Sequence, residues 1–251
     1  MAHLHVHTGP APLAPETTVG ALVTVRPARS RVFEKLGIDF CCGGKIPLAE
    51  VCAKKNLDVR NVINLLRDAD AARDLADASF VDANLMSLSQ LADHIEQTHH
   101  AYLREELPRL DAMTAKVAAV HGDKEPRLLE VRNAFVALKN ELLTHMMKEE
   151  QILFPICRRF DTADRPIASH CGSIANPIRQ MEAEHDNAGN ALAIMNQATD
   201  GYLPPAWACN TYRAMLDGLA VLERDMHQHV HKENNILFPK AIAREAELLA
   251  A

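Results

Sequence analysis

The feature that most constrains this chain is a stretch of sequence that occurs twice. HMMKEEQILFPI begins at His145, HVHKENNILFPK begins at His229, 84 residues later, and seven of the twelve positions agree. A match this dense inside one chain marks an internal duplication of a helix pair. Each copy contains His-x-x-x-Glu, and residues four apart lie one turn apart on one helical face. One copy offers His145 and Glu149, the other His229 and Glu233. Both pairs fall on apolar stripes: Leu138, Leu142, His145, Glu149, Ile152 in one helix and Leu222, Met226, His229, Glu233, Leu237 in the other. A buried glutamate without a partner is very costly, so it must be paired or bound to a metal. A lone surface His-Glu pair would be worth only a few tenths of a kcal/mol, and two inward-facing copies point to metal instead.

Two further helices supply matching donors. The stripe Ile174, Ile178, Met181, His185, Leu192 centres on His185. In the helix before the first copy the candidates are His94, His99 and His100. The stripe Leu88, Leu91, Ile95, Tyr102 selects His99 by angle. The duplication selects His100, which precedes His145 by 45 residues as His185 precedes His229 by 44. Residue pattern alone leaves both open. Four histidines and two glutamates make a dinuclear set, each Glu able to bridge two ions with its two oxygens. Mixed imidazole and carboxylate ligation suits iron or manganese better than structural zinc, which prefers sulfur. Ions bridged in this way sit about 3.5–4 Å apart.

The surrounding chain predicts an all-α protein. Aromatic residues are only 4% of 251, and strands favour aromatic and β-branched side chains. Long helical patterns cover 84–120 (kinked at Pro108), 126–159, 174–198 and 205–248, which read as an up-down four-helix bundle spanning 84–248. Residues 17–76 read as a small helical domain: Thr17 and Thr18 cap a first helix, Pro27 and Pro47 open two more, and Asp58 caps a fourth. Residues 1–16 read as a disordered tail containing His3, His5 and His7.

A net charge of −6 and the absence of a Lys/Arg stripe exclude the electrostatic footprint of a nucleic-acid binder. No apolar run reaches the roughly 18 residues of a membrane span. The N-terminal residues lack the basic start and apolar core of a signal peptide. Six irregularly spaced cysteines do not form a disulfide framework, so the expectation is reduced thiols in the cytoplasm.

Between the short helices lies GIDFCCGGK, residues 37–45. Cys41 and Cys42 adjoin two glycines, and Lys45 with the following helix start would lower a thiol pKa. Such thiols can accept a nitrosyl group, pass electrons or grip iron in transit, a thiol relay. Cys52 is expected in a core, and Cys157, Cys171 and Cys209 in packing roles. Glu141 lies one turn before His145 on the same stripe, and Glu184 directly precedes His185; both are candidates to orient ligands. His227 and His231, off the stripe of His229, are expected to be exposed or beside the ligands, His121 and His170 solvated.

HMMKEEQILFP, EAEHD and HxxxENNILFP resemble the hemerythrin-like domain of the iron-sulfur cluster repair di-iron proteins, the Ric or YtfE/ScdA family, and GIDFCCGGK resembles that family's N-terminal domain. The resemblance spans about residues 17–245. It implies two oxo- or hydroxo-bridged non-haem iron ions held by His100, His145, Glu149, His185, His229 and Glu233, and so favours His100 over His99. It further implies repair of iron-sulfur clusters damaged by nitrosative or oxidative stress, with damaged iron-sulfur proteins, nitric oxide or oxygen, and an electron donor as partners. The alternatives are a nitric oxide-reducing enzyme and a nitric oxide or oxygen scavenger-sensor. A homodimer is open to it. Where oxygen-carrying hemerythrins have another histidine, four residues after His185, this chain has Gly189, which favours reaction or iron release over oxygen storage. No nucleotide-binding glycine loop is present, so electrons must come from a partner.

Overall fold

The computed structural model describes residues 11–73, 82–167 and 171–250. Four short helices form the N-terminal module: α1 (Val19–Val25), α2 (Ser30–Lys35), α3 (Leu48–Lys54) and α4 (Val59–Arg73). Thr18 Oγ1 accepts the Ala21 N–H and caps α1, and Gly37, at φ 61°, takes the left-handed turn that ends α2. Val19, Leu22, Phe33, Phe40, Leu48 and Leu66 form the module's own core, and Cys52 belongs to it as expected. Its contacts begin earlier than residue 17, because Thr17 Oγ1 donates to the Pro12 carbonyl and Ala49 N–H to that of Pro15. His3, His5, His7 and His170, and the end of the fourth predicted helix, lie outside the described residues.

Four long helical rods follow. The first joins α5 (Leu88–Ile95), a π-helical turn (Glu96–His100) and α6 (Ala101–His121). The second joins α7 (Arg127–Lys148), a π turn (Glu149–Leu153) and α8 (Phe154–Thr162). The third is the unbroken α9 (Ala175–Ala198), and the fourth joins α10 (Asn210–Lys232), a π turn (Glu233–Leu237) and α11 (Phe238–Ala250). A capping box of Ser87 and Gln90 starts the first rod. The chain is thus all-α, and no strand occurs among the described residues.

Each π turn inserts one residue, rotating the downstream helix by about 100° relative to an uninterrupted one. In the repeated copies Pro155 and Pro239 stand two residues after the turn. Proline lacks an N–H and clashes with the carbonyl four residues back, so the wider turn relieves that conflict. The insertion also corrects two stripe assignments. Ile152 is 37% exposed and Leu153, at 1%, takes its inward place; Leu103, at 0%, takes the place expected of half-buried Tyr102.

The bundle core is divided in two. One cluster contains Leu103, Leu107, Phe135, Leu142, Leu192, Leu222 and Met226. The other contains Leu91, Ile95, Phe154, Ile178, Met181, Leu237 and Phe238. His100, His145, Glu149, His185, His229 and Glu233 lie between them along their helices.

The module docks on the bundle at the level of this layer. Asn235 Nδ2 donates to the Cys41 carbonyl at 3.1 Å, and Lys45 pairs with Glu182 at 2.7 Å. Gly44 is needed for this approach, since a Cβ there would stand 2.3 Å from Asn235 Oδ1. His231, expected to be exposed or beside the ligands, is instead 3% exposed, edge-on to Phe40 at 5.6 Å and within 3.5 Å of Thr24 Oγ1, so it belongs to this interface. Half-buried His227 also meets Phe40.

Candidate metal centre

The six sequence-derived donors converge. His100, Glu149, His229 and Glu233 form one buried group and His145, Glu149, His185 and Glu233 a second, the donor atoms of each lying within 4.8 Å of one another. Glu149 and Glu233 belong to both groups, which is what bridging carboxylates require. Glu149 Oε2 is 3.3 Å from His100 Nε2 while its Oε1 is 3.4 Å from His145 Nε2. Glu233 Oε1 is 3.0 Å from His229 Nε2 and its Oε2 3.1 Å from His185 Nε2. His145 and His185 bring their Nε2 atoms to 3.0 Å.

The chemistry of these atoms fits a pair of cations. Among the described residues seven buried side-chain nitrogens and oxygens have no aligned hydrogen-bond partner, and four of them face one another here: His100 Nε2, both oxygens of Glu149 and Glu233 Oε2. Unpaired buried polar atoms are rare in proteins, and a convergent set of them marks a site built for something else to fill. Burial and the neighbouring Glu233 both act to raise the Glu149 carboxyl, but His145 and His100 outweigh them and keep it low. Burial likewise opposes ionisation of Glu233, and His229 and His185 overcome it. Burial pulls His145 down, yet the carboxylates of Glu149, Glu233 and Glu184 lift it to about 10. Cations in this layer would replace those protons as the counter-charge of the two glutamates.

Outer partners fix three of the four rings. His100 Nδ1 meets Glu150 Oε1 at 2.7 Å, His145 Nδ1 meets Glu184 Oε2 at 2.9 Å and His185 Nδ1 meets Asn234 Oδ1 at 2.8 Å. Such contacts select the tautomer that turns Nε2 toward a metal. Burial would raise Glu184, but hydrogen bonds from Lys148, Gln180 and His145 hold it at about 2. Glu150 and Asn234 escaped the sequence reading although the repeat announced them. They occupy the same position of the two copies, immediately after the paired glutamate. Glu141 is corrected: it is exposed, the inward positions of that turn being Leu138, Leu142 and His145.

His99 is buried but turned elsewhere. Its Nδ1 meets Asp225 Oδ1 and its Nε2 meets Lys232 Nζ, both at 2.8 Å, and its ring stacks parallel on His229 at 5.1 Å. Burial and the Lys232 ammonium push it down to about 3, so it stays neutral. The π turn at Glu96–His100 is why the helical period selected it: the extra residue passes the inward position to His100. His229 keeps an unpaired Nδ1, and Asp225, one turn earlier, keeps an unpaired Oδ2.

The cysteine loop stands against the same layer. Cys42 Sγ lies 3.5 Å from the His185 carbonyl, and a Cβ on Gly189 would stand 3.7 Å from it. The expected lowering of thiol pKa is corrected for Cys41: its hydrogen bond with Cys42, burial and the Asp39 carboxylate raise it well above the ordinary range. The Lys45 ammonium is engaged by Glu182 instead. Of the remaining cysteines, Cys157 is buried as expected and Cys171 half-buried, whereas Cys209 is exposed, 3.3 Å from His121 Nε2. His121, expected to be solvated, is half-buried against Trp207 and Tyr212.

A four-helix layer of shared glutamates and histidines defines a hemerythrin-type protein, and residues 91–241 match the Hemerythrin HHE cation binding domain. Residues 15–70 match a second family, ScdA_N, described as a domain of unknown function (DUF542). Proteins called iron-sulfur cluster repair protein YtfE are 39% identical in Enterobacter sp. (strain 638) and in Escherichia coli O157:H7, and 38% identical in Citrobacter koseri. Each alignment covers 90% of this chain and 97% of the relative. The chain belongs to this YtfE family of iron-sulfur cluster repair proteins.

Proposed function

We propose that this chain is a cytoplasmic di-iron protein that restores iron-sulfur clusters damaged by nitrosative or oxidative stress, with His100, His145, His185 and His229 as terminal ligands and Glu149 and Glu233 as bridges. The observation that carries the metal assignment is the set of four partnerless buried atoms on and around two carboxylates shared by both groups. The relatives' name supports repair. When bound, two iron ions supply exchangeable iron and open positions for a small ligand such as nitric oxide or oxygen. The chain's own residues do the rest. Glu150, Glu184 and Asn234 hold three imidazoles in place, and the two apolar clusters keep bulk water from the layer. No helix among the described residues is long and apolar enough to cross a membrane.

Cys41 and Cys42 extend the centre on the His185 side, as a thiol relay between the layer and a damaged cluster protein. Electrons for any redox step come from a separate donor protein.

The test is anaerobic incubation of the iron-loaded, reduced protein with a nitric oxide-damaged iron-sulfur enzyme, and in parallel with nitric oxide alone. Regained cluster activity without nitrous oxide production is the expected result. Nitrous oxide turnover without cluster recovery would make the chain a nitric oxide reductase instead.

A further inference from the structure

Outside the His/Glu layer, one more set of metal-type donors comes together among the described residues. The side-chain donor atoms of Asp39, Cys41 and Cys42 lie within 4.8 Å of one another. The backbone enforces this. Asp39 Oδ1 accepts the N–H groups of Cys41 at 2.9 Å and Cys42 at 3.0 Å, and Oδ2 accepts that of Gly43 at 2.8 Å. Three amides gathered on one carboxylate curl the loop, so two neighbouring thiols share one side of it. Asn235 pins the loop from below through the Phe40 and Cys41 carbonyls. The arrangement therefore exists before any ligand arrives.

The thiols also face room and negative charge. They line a cleft of about 120 Å³ whose other walls include Glu182, Asp186 and Asn234. At about 30 Å³ per water, that space holds roughly four waters, enough for a cation that keeps part of its hydration. Lys45 is the single cationic side chain of the lining, and Glu182 neutralises it.

We propose that Cys41 and Cys42, with Asp39 closing the set, form a second cation site for a thiophilic divalent ion, separate from the His/Glu centre. Two sulfur donors and one oxygen select a softer ion than six imidazole and carboxylate groups do. Binding releases the two thiol protons to solvent and forms two metal–sulfur bonds, with no change of oxidation state. The site shares a wall with the bundle centre. Asn234 lines the cleft while its Oδ1 holds His185 Nδ1, so an ion leaving past His185 meets the thiols next. That transit role rests on the repair reading of the preceding subsection; the site itself does not.

The test uses the full-length, iron-loaded protein under anaerobic conditions with cadmium as the probe. Expected are one cadmium bound per chain, a thiolate-to-cadmium ultraviolet band, and protection of Cys42 from iodoacetamide in peptide mass spectra, with iron content unchanged. Cys41→Ser/Cys42→Ser should lose the band, Asp39→Asn should weaken binding by about 10–100-fold, and Cys209→Ser, at the exposed thiol, should change nothing. Absence of the band in the wild type, a full-strength band in the double variant, or cadmium displacing iron while Cys42 stays reactive would overturn the site. The protection readout needs no variant to fold. A chain that binds cadmium here yet repairs nothing contradicts the repair reading alone, and repair without cadmium binding contradicts this site alone.

Discussion

Removing iron should cost this fold much of its stability. Four buried donor atoms of the layer, His100 Nε2, both Glu149 oxygens and Glu233 Oε2, lack aligned partners. A buried unsatisfied polar group costs about 1–3 kcal/mol, so four amount to about 4–12 kcal/mol before relaxation. Side-chain movement and entering water recover part of that, which makes the lower end the working figure. For a chain of this size 1 kcal/mol shifts Tm by about 2–4 °C, so loss of about 4 kcal/mol lowers it by about 8–16 °C. The assay is differential scanning calorimetry of iron-loaded protein and of the same sample after reductive chelation, at one protein concentration. Readdition of ferrous iron should restore the transition. A metal-free Tm within about 3 °C of the loaded one would refute the reasoning, because the layer would then be satisfied by its own protons and ion pairs.

Particular contacts set four more outcomes. His100→Ala should lose iron, whereas His99→Ala should keep it and lose only the Asp225 and Lys232 contacts; iron analysis of the two variants decides between helical period and π turn. Glu150→Ala and Asn234→Ala should each weaken iron retention by about 10–100-fold in a chelator competition, since each frees the outer nitrogen of a ligand. Cys41, raised by its bond with Cys42, by burial and by Asp39, should react slowly with iodoacetamide at neutral pH and faster as pH rises, while exposed Cys209 reacts first. Gly44→Ala should loosen the N-terminal module, read as faster proteolysis around residues 37–45 with bundle iron unchanged.

The repeat made most of the fold and the proposed ligands legible, five of them also on the apolar stripes and the sixth, His100, by its offset alone, because a duplicated His-x-x-x-Glu on an apolar stripe buries charge that only a shared cation can balance. The sixth failed on periodicity for a definable reason. A 3.6-residue period assumes an unbroken α-helix, and the π turn at Glu96–His100 breaks that assumption just before His100. In the repeated copies the ILFP proline marks the same irregularity, but the first rod has no proline until Pro108, so nothing local gave it away. Glu141 failed differently: Leu138 and Leu142 fill the inward positions before His145, and Glu141 is left exposed. Cys41 failed because thiol acidity depends on which charge is nearest in space. Asp39 folds back onto the thiol, and Lys45 turns away to Glu182.

Two carboxylates shared between two cation sites are the core of the proposed centre. The measurement that tests them most directly is iron stoichiometry, by mass spectrometry of metal and protein, in the wild type and in Glu149→Ala/Glu233→Ala. Shared bridges predict about two irons per wild-type chain, with the visible absorption of an oxo-bridged pair when oxidised, and loss of both irons and of that absorption in a variant whose helicity is retained. Full iron content in the folded double variant, or one iron per wild-type chain, would contradict the bridging assignment.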